Sequence, residues 1–245
     1  MKKAEPPFFA VFDFDNTCIT NDIEEATLRY MACHNLFLGK YILGGKVDYP
    51  RTEAYSKDIF NKYYKLLESG RIKEAYEFCH RILSGYGVKK IGPMVKQIAR
   101  SEGEENEEIR FWDKKLNKGI NIRPQVIELM DFLKSKGVTV WVVSASPKVL
   151  VKEAMNHFGI DANLIGINVI TKDNEFTTDL RQPLSMFEGK VECIKKFIDP
   201  VRKPLLGVGD SINDLSMLEY CETKVVVNRK NSFAKLAKKN NWFLI

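Results

Sequence analysis

The chain has 245 residues, 44% of them hydrophobic and 11% aromatic. That is enough apolar material for one large domain, or for a core with an inserted module, and it argues against wholesale disorder. The net charge of +6 suits attraction of small anions, but it gathers into no basic stripe, so nucleic acid is not an expected partner. No apolar run approaches the roughly 20 residues of a bilayer span, and a cytoplasmic protein with no membrane partner is expected.

The opening MKKAEPPFF is basic, lacks a cleavage-type signal region and runs directly into a strand-like stretch. That stretch, FFAVFDFDNTCIT (residues 8–20), ends an apolar run with Asp13 and Asp15, followed by Thr17. Two carboxylates at the end of a buried strand are costly unless something compensates their charge.

Residues 21–119 favour helical spacing, as in EEATLRYM, AYSKDIFNKYYKLLESG and IKEAYEFCHRIL, with no alternation of strand and helix. They read as a helical insertion, and the acidic run SEGEENEE within them reads as a solvated loop or helix start. Cys33-His34 and Cys79-His80 invite a metal reading. However, helix neighbours point about 100° apart, so ordinary packing is preferred, and the five scattered cysteines suggest no disulfide framework. His34, His80 and His157 receive no catalytic role.

From residue 120 strand and helix alternate. RPQVIELMDFLKSKG reads as helix, VTVWVVS (residues 138–144) as a strand buried on both faces, and SPKVLVKEAMNHFG as helix. NLIGINVITKDNEFTTDL reads as a hairpin or flap around a Lys-Asp-Asn turn, and GKVECIKKFI as helix. KPLLGVGD and TKVVVN read as buried strands, and SFAKLAKKNNWFLI as a basic amphipathic helix with an apolar tail. The expected fold is α/β: a doubly wound, Rossmann-like parallel sheet (residues 1–20 and 120–245) with an α-helical cap domain (residues 21–119) inserted after the first strand.

In such a sheet, ligands sit beyond the carboxyl ends of the strands. There DFDNT, the SAS at residues 144–146, Lys190 and GDSIND would converge. Asp13, Asp15, Asp210 and Asp214 would repel one another unless a hard cation such as Mg2+ lay among them. Together with Ser144 and Lys190 they would make a site for a phosphate dianion, with one carboxylate as nucleophile and the other as acid and base. Each piece alone has a plain structural reading, such as a turn cap or strand end. Lys190 fits that reading less well, since a helix N-terminus disfavours a cation without a nearby anion.

These four segments, in this order, resemble the motifs of the haloacid dehalogenase superfamily, in its phosphoserine-phosphatase-like branch. The resemblance implies a small phosphorylated metabolite as substrate, with Asp13 as nucleophile and metal ligand and Asp15 as general acid/base, ligating Mg2+ through its backbone carbonyl. It also implies Thr17 orienting the loop, Ser144, Ala145 and Lys190 in the phosphate- and substrate-binding set, Asp210 on the metal, and Asp214 in its outer shell. Asn213 matches a position that touches substrate phosphate. The dehalogenases themselves lack a carboxylate at the Asp15 position, which sets their chemistry aside.

Asp22, nine positions after Asp13, stands where phosphoserine phosphatases hold the substrate amine. NDIEEA, with Glu25 as a candidate cation partner, is similar to a segment of phosphocholine phosphatases. Where the branch has Ser-Gly-Gly, this chain has Ser144-Ala145-Ser146-Pro147, so that pocket is altered. Tyr30, Tyr41, Tyr49, Tyr55, Tyr63, Tyr64, Tyr76 and Trp112 are available for an aromatic cage, with packing the commoner use of each ring. A phosphomutase or phosphotransferase, and a non-catalytic module binding a phosphorylated ligand, remain as alternatives, and oligomeric state is not read.

Overall fold

Strand β1 (Phe9–Phe12) is buried along its whole length in the computed structural model, as an unbroken apolar run requires of a central parallel strand. The structure describes residues 8–39, 41–45 and 48–245, so most of the basic opening stretch lies outside it. After β1 come α1 (Ile23–Cys33), α2 (Glu53–Glu68), α3 (Ile72–Cys79) with a tight helical turn at His80–Leu83, and α4 (Ile91–Glu102). A hairpin of β2 (Glu107–Phe111) and β3 (Lys114–Lys118) follows. The remainder alternates: α5 (Pro124–Ser135), β4 (Thr139–Pro147), α6 (Lys148–Phe158), β5 (Asn163–Lys172), β6 (Glu175–Arg181), α7 (Gly189–Phe197), β7 (Leu206–Gly209), α8 (Leu215–Tyr220), β8 (Thr223–Val226), α9 (Ser232–Lys239) and β9 (Phe243–Leu244).

One seven-stranded sheet has the order β6-β5-β4-β1-β7-β8-β9. It is parallel except at its edge, where β5 pairs in parallel with β4 at one end and antiparallel with β6 at the other. β1 lies between β4 and β7. The chain moves outward to β4 and β5, then crosses back to β7, so the sheet's switch point falls at the carboxyl ends of β1, β4 and β7. Successive β1 side chains alternate between the two faces: Ala10 and Phe12 join the larger apolar cluster, Phe9 and Val11 the smaller. This is the Rossmann-like architecture expected.

Among the described residues, the segment between β1 and α5 adds no strand to that sheet. Its helices bury Tyr55, Ile59, Phe60 and Tyr63 in the same continuous apolar cluster as Phe12 and Val142, each large side chain contributing roughly 1.5–3 kcal/mol. Two expectations are corrected here. The segment is not wholly helical, and the acidic run ends α4 and then opens β2. The reason is alternation: Ile109 pairs across from Leu116, while Glu107 and Glu108 meet Lys118 and Lys115 at 3.2 and 3.0 Å. In addition, β4 extends through Ser144 to Pro147, three residues beyond the apolar run.

The β5–β6 hairpin turns at Asp173 and Asn174, both with positive φ (52° and 64°), a geometry these residue types tolerate in two-residue turns. Its tip bonds to the helical segment: Gly85 N–H donates to Phe176 O (2.8 Å), Phe176 N–H to Tyr86 O (2.9 Å) and Val88 N–H to Asn174 O (3.0 Å).

Candidate active site

Beyond β1 the Asp13 amide still donates to Val208 O of β7 (2.9 Å), after which the chain turns sharply. Asn16 takes φ = 60°, a left-handed conformation Asn accepts more readily than most side chains. The turn separates the two aspartates. Asp13 Oδ1 accepts from Lys190 Nζ at 2.6 Å. Asp15 faces β4 and α1, accepting from Ser146 Oγ (2.7 Å), Ser144 Oγ (3.3 Å) and the Ile23 amide (2.8 Å).

Lys190, on the first turn of α7, is 1% exposed and also donates to Asp214 Oδ1 at 2.6 Å, which supplies the anions its position demanded. Asp214 Oδ2 accepts from the Asp210 and Ser211 amides. Gly209 makes this fold-back feasible, since a Cβ there would lie 2.6 Å from that of Asp214. Asp210 accepts from Thr17 Oγ1 (3.3 Å) and from Arg229 Nη1 (2.5 Å).

Oxygens of Asp13, Asp210 and Asp214, all three buried, lie within 4.8 Å of one another. Burial, then repulsion from Asp214, pushes Asp13 up to about 8 against the pull of Lys190. The same two causes push Asp210 up to about 6, opposed by Arg229. Asp15 is raised well above the carboxylate range by burial, then by Asp22 and Asp13. Three buried carboxylates that repel one another and present hard oxygen donors fit a divalent cation, which would reverse the rise at Asp13 and Asp210.

These groups border a cleft between the sheet rim and the helical segment. Of the residues singled out in the sequence, Asp13, Asp15, Asp22, Ala145, Lys190, Asp210, Asn213 and Asp214 line it. Thr17 and Ser144 sit behind the wall with no exposure and reach it through Asp210 and Asp15. Asp22 caps α1, its Oδ1 accepting from the Glu24 and Glu25 amides (2.8 and 2.9 Å). Glu25 turns away into an adjoining cavity beside Arg29 and Arg229, where Tyr63 donates to it at 2.9 Å.

Five lining residues were not singled out as site residues: Asn16, Glu24, Ser146, Ser211 and Arg229. Ser146 is the stronger hydroxyl donor to Asp15, a role visible only once β4 is known to continue past Ser144. Of the eight aromatic candidates only Tyr76 lines the cleft, where its hydroxyl accepts from Asn213 Nδ2 (2.8 Å). Tyr41 and Tyr49 are exposed, and Trp112 packs on Phe60. The Cys-His pairs form no metal cluster among the described residues.

A mostly parallel α/β sheet with buried carboxylates and a lysine gathered at its switch point defines a Rossmann-like architecture with an acidic site at its rim. The haloacid dehalogenase-like hydrolase family pattern matches residues 10–219, and the chain belongs to that family. It is 23% identical to the phosphorylcholine phosphatase of Pseudomonas aeruginosa over 83% of this chain and 68% of that one. It is likewise 23% identical to the histidinol-phosphatase of Neisseria meningitidis serogroup C, over 95% and 96% of the two chains. A solved phospho-aspartyl intermediate analogue of phosphoserine phosphatase shares the fold, with a TM-score of 0.57 at 19% identity over 98% of this chain and 93% of that one.

Proposed function

We propose that the chain is a Mg2+-dependent phosphatase that hydrolyses a small amine-bearing phosphomonoester, of the kind exemplified by phosphocholine, phosphoethanolamine or phosphoserine, through an aspartyl-phosphate on Asp13. The observation that carries this reading is the division of labour between the two aspartates. Asp13 stands in the Lys190–Asp210–Asp214 cluster, whereas Asp15 is held apart from it by Ser146 and the Ile23 amide.

In the first step an Asp13 oxygen forms a bond to phosphorus and the ester P–O bond breaks, while Asp15 gives its proton to the departing alkoxide. In the second, water attacks the phosphorus, Asp15 takes its proton, and phosphate leaves with Asp13 restored. Lys190 neutralises charge on the phosphoryl oxygens, and Asp214 holds Lys190 and the Asp210 loop in place. Asp13, Asp210 and the Asp15 carbonyl, with Asp214 in support, would hold Mg2+, and the ion would supply further neutralisation of phosphate charge. Residues 21–119 act as a cap whose wall excludes bulk water and selects the leaving alcohol.

An amine-bearing substrate is supported by Asp22 and Glu24, which line the same cleft as the nucleophile. It agrees with the name of one relative, phosphorylcholine phosphatase. The test is phosphate release from a panel of phosphomonoesters with Mg2+ and with EDTA, combined with acid quenching to trap phosphoenzyme. Mg2+-dependent turnover, with label on Asp13 and preference for cationic esters, is expected. Inertness toward the whole panel, or label elsewhere, overturns the proposal.

A further inference from the structure

The mechanism above leaves one buried imidazole unused. His80, at the start of the helical turn after α3, has no exposure; its Nδ1 lies 2.5 Å from Glu24 Oε1, and its Nε2 has no hydrogen-bond partner. Glu24 in turn lines the cleft that holds Asp13 and is 4% exposed. Within a single helical turn the chain therefore places Asp22, Glu24 and Glu25, three carboxyls that cannot all ionise at low cost in so little water.

The surroundings give Glu24 little positive charge to lean on. On α1 its neighbours are Asp22 and Glu25, with Arg29 closer to Glu25. From α3 and the turn after it come Cys79, Tyr76, Glu77 and His80, and from α2 Tyr63. From the core, Arg229 is committed to Asp210 and Lys190 to Asp13 and Asp214. Burial pushes His80 down to about 3, so the ring is neutral, and burial followed by Asp22 raises Glu24 well above the ordinary carboxylate range. A neutral carboxyl donating to Nδ1 fits that contact.

We propose that Glu24, backed by His80, is a proton-linked selector for the cationic part of the substrate: the free cleft keeps a proton on Glu24, and an ammonium arriving beside it displaces that proton to solvent. One proton leaves and one positive charge arrives, so the wall keeps its net charge. The imidazole then carries its proton on Nδ1 and donates it to the new carboxylate. His80 is thus a positioning residue that can serve both states of Glu24, as a side chain with only a donor or only an acceptor could not. This deepens the phosphatase reading and rests on it for the placement of the leaving group.

The test is binding of choline, whose charge does not titrate, to the whole Mg2+-loaded protein by calorimetry in two buffers of different ionisation enthalpy. Its uncharged isostere neohexanol, with carbon in place of nitrogen, is the control. Expected are preference for choline, release of a fraction of a proton that rises to about one in acid, and affinity that climbs with pH by at most about tenfold per unit to a plateau. Glu24→Gln should weaken choline and abolish the slope. His80→Phe should weaken it as well, while His80→Asn, with an amide that can face either state, restores part of the loss, and melting curves establish that each variant is folded.

Proton release of zero throughout, equal binding of the two alcohols, or binding of neither overturns the selector. Hydrolysis of p-nitrophenyl phosphate, measured alongside, separates the two claims. Turnover without choline preference sinks the selector alone, and proton-linked choline binding without any turnover sinks the phosphatase reading alone.

Discussion

The two walls of the cleft handle buried carboxyls in opposite ways. On the sheet side, Asp13 and Asp214 meet Lys190, and Asp210 meets Arg229, at hydrogen-bonding distance. On the helical side, the direct partners of Asp22, Glu24 and Glu25 are two backbone amides, an imidazole, the Cys79 thiol and a tyrosine hydroxyl. Burial raises the carboxyls of both walls, but at the rim Lys190 and Arg229 oppose that rise and suit the site to charge in transit, whereas the helical wall has no such direct cation, as the proposed selector requires. On the proposed reading, the sheet rim supplies reaction chemistry and the helical wall supplies choice of ligand.

The sharpest way to break this division is at the rim. Asp13→Asn should lower phosphate release by on the order of ten-thousand-fold, because it removes the atom that takes the phosphoryl group; steady turnover by this variant would remove the nucleophile assignment. Asp15→Asn should cost kcat roughly a hundred- to ten-thousand-fold with an alkyl ester. With p-nitrophenyl phosphate, whose leaving group needs no proton, this variant should still form phosphoenzyme and then stall. Rapid-quench labelling checks the point, and equal loss of phosphoenzyme formation for both esters would detach Asp15 from proton transfer.

A stability change comes next, on the helical side. Arg29 is hydrogen-bonded to Glu102, both buried, and Glu102 also accepts from the Gly119 amide at 3.1 Å. Arg29→Met leaves Glu102 a buried, uncompensated charge and should cost about 3–5 kcal/mol in denaturant unfolding. The double variant Arg29→Met/Glu102→Met should recover much of that. If the single change costs less than about 1 kcal/mol, Glu102 is not relying on its partner.

Much of the rim was legible in the sequence, because strand ends are marked by where apolar runs stop, and a parallel sheet brings its carboxyl ends together whatever lies between them. Asp13, Asp15, Lys190, Asp210 and Asp214 could be placed at one edge on that ground. The helical wall was less legible. Helical spacing located its elements, but whether Asp22, Glu24 or Glu25 faces the cleft depends on how α1 is rotated, and that is set by packing against α2 and α4. Glu25 was favoured and Glu24 passed over, yet Glu24 lines the cleft while Glu25 lines a side cavity. His80 was set aside for lying off the motifs, and only tertiary contact brings it to Glu24. The β2–β3 hairpin was hidden for another reason: its charged face dominates the composition, and only three of its ten residues, Ile109, Phe111 and Leu116, carry the apolar alternation.

The smallest predicted effect tests the helical wall by pH. Glu25 is raised from 4.5 to about 7, by burial first and Asp22 second. The folded protein therefore binds more protons at this carboxyl than the unfolded chain does between those two values. Stability from this group is complete below the unfolded value and declines as pH rises through the folded one. Glu25→Gln removes that decline while keeping an oxygen for the Tyr63 hydroxyl. The variant and the parent should match near pH 4, and the variant should become more stable by roughly 2 kcal/mol by about pH 8. Asp22 and Glu24 are raised as well, so the parent's own slope mixes three groups; the difference between the two urea-unfolding profiles isolates one. Parallel profiles would mean that Arg29 and Arg229, which border the same cavity, already compensate Glu25. The contrast between the two walls would then narrow to Asp22 and Glu24.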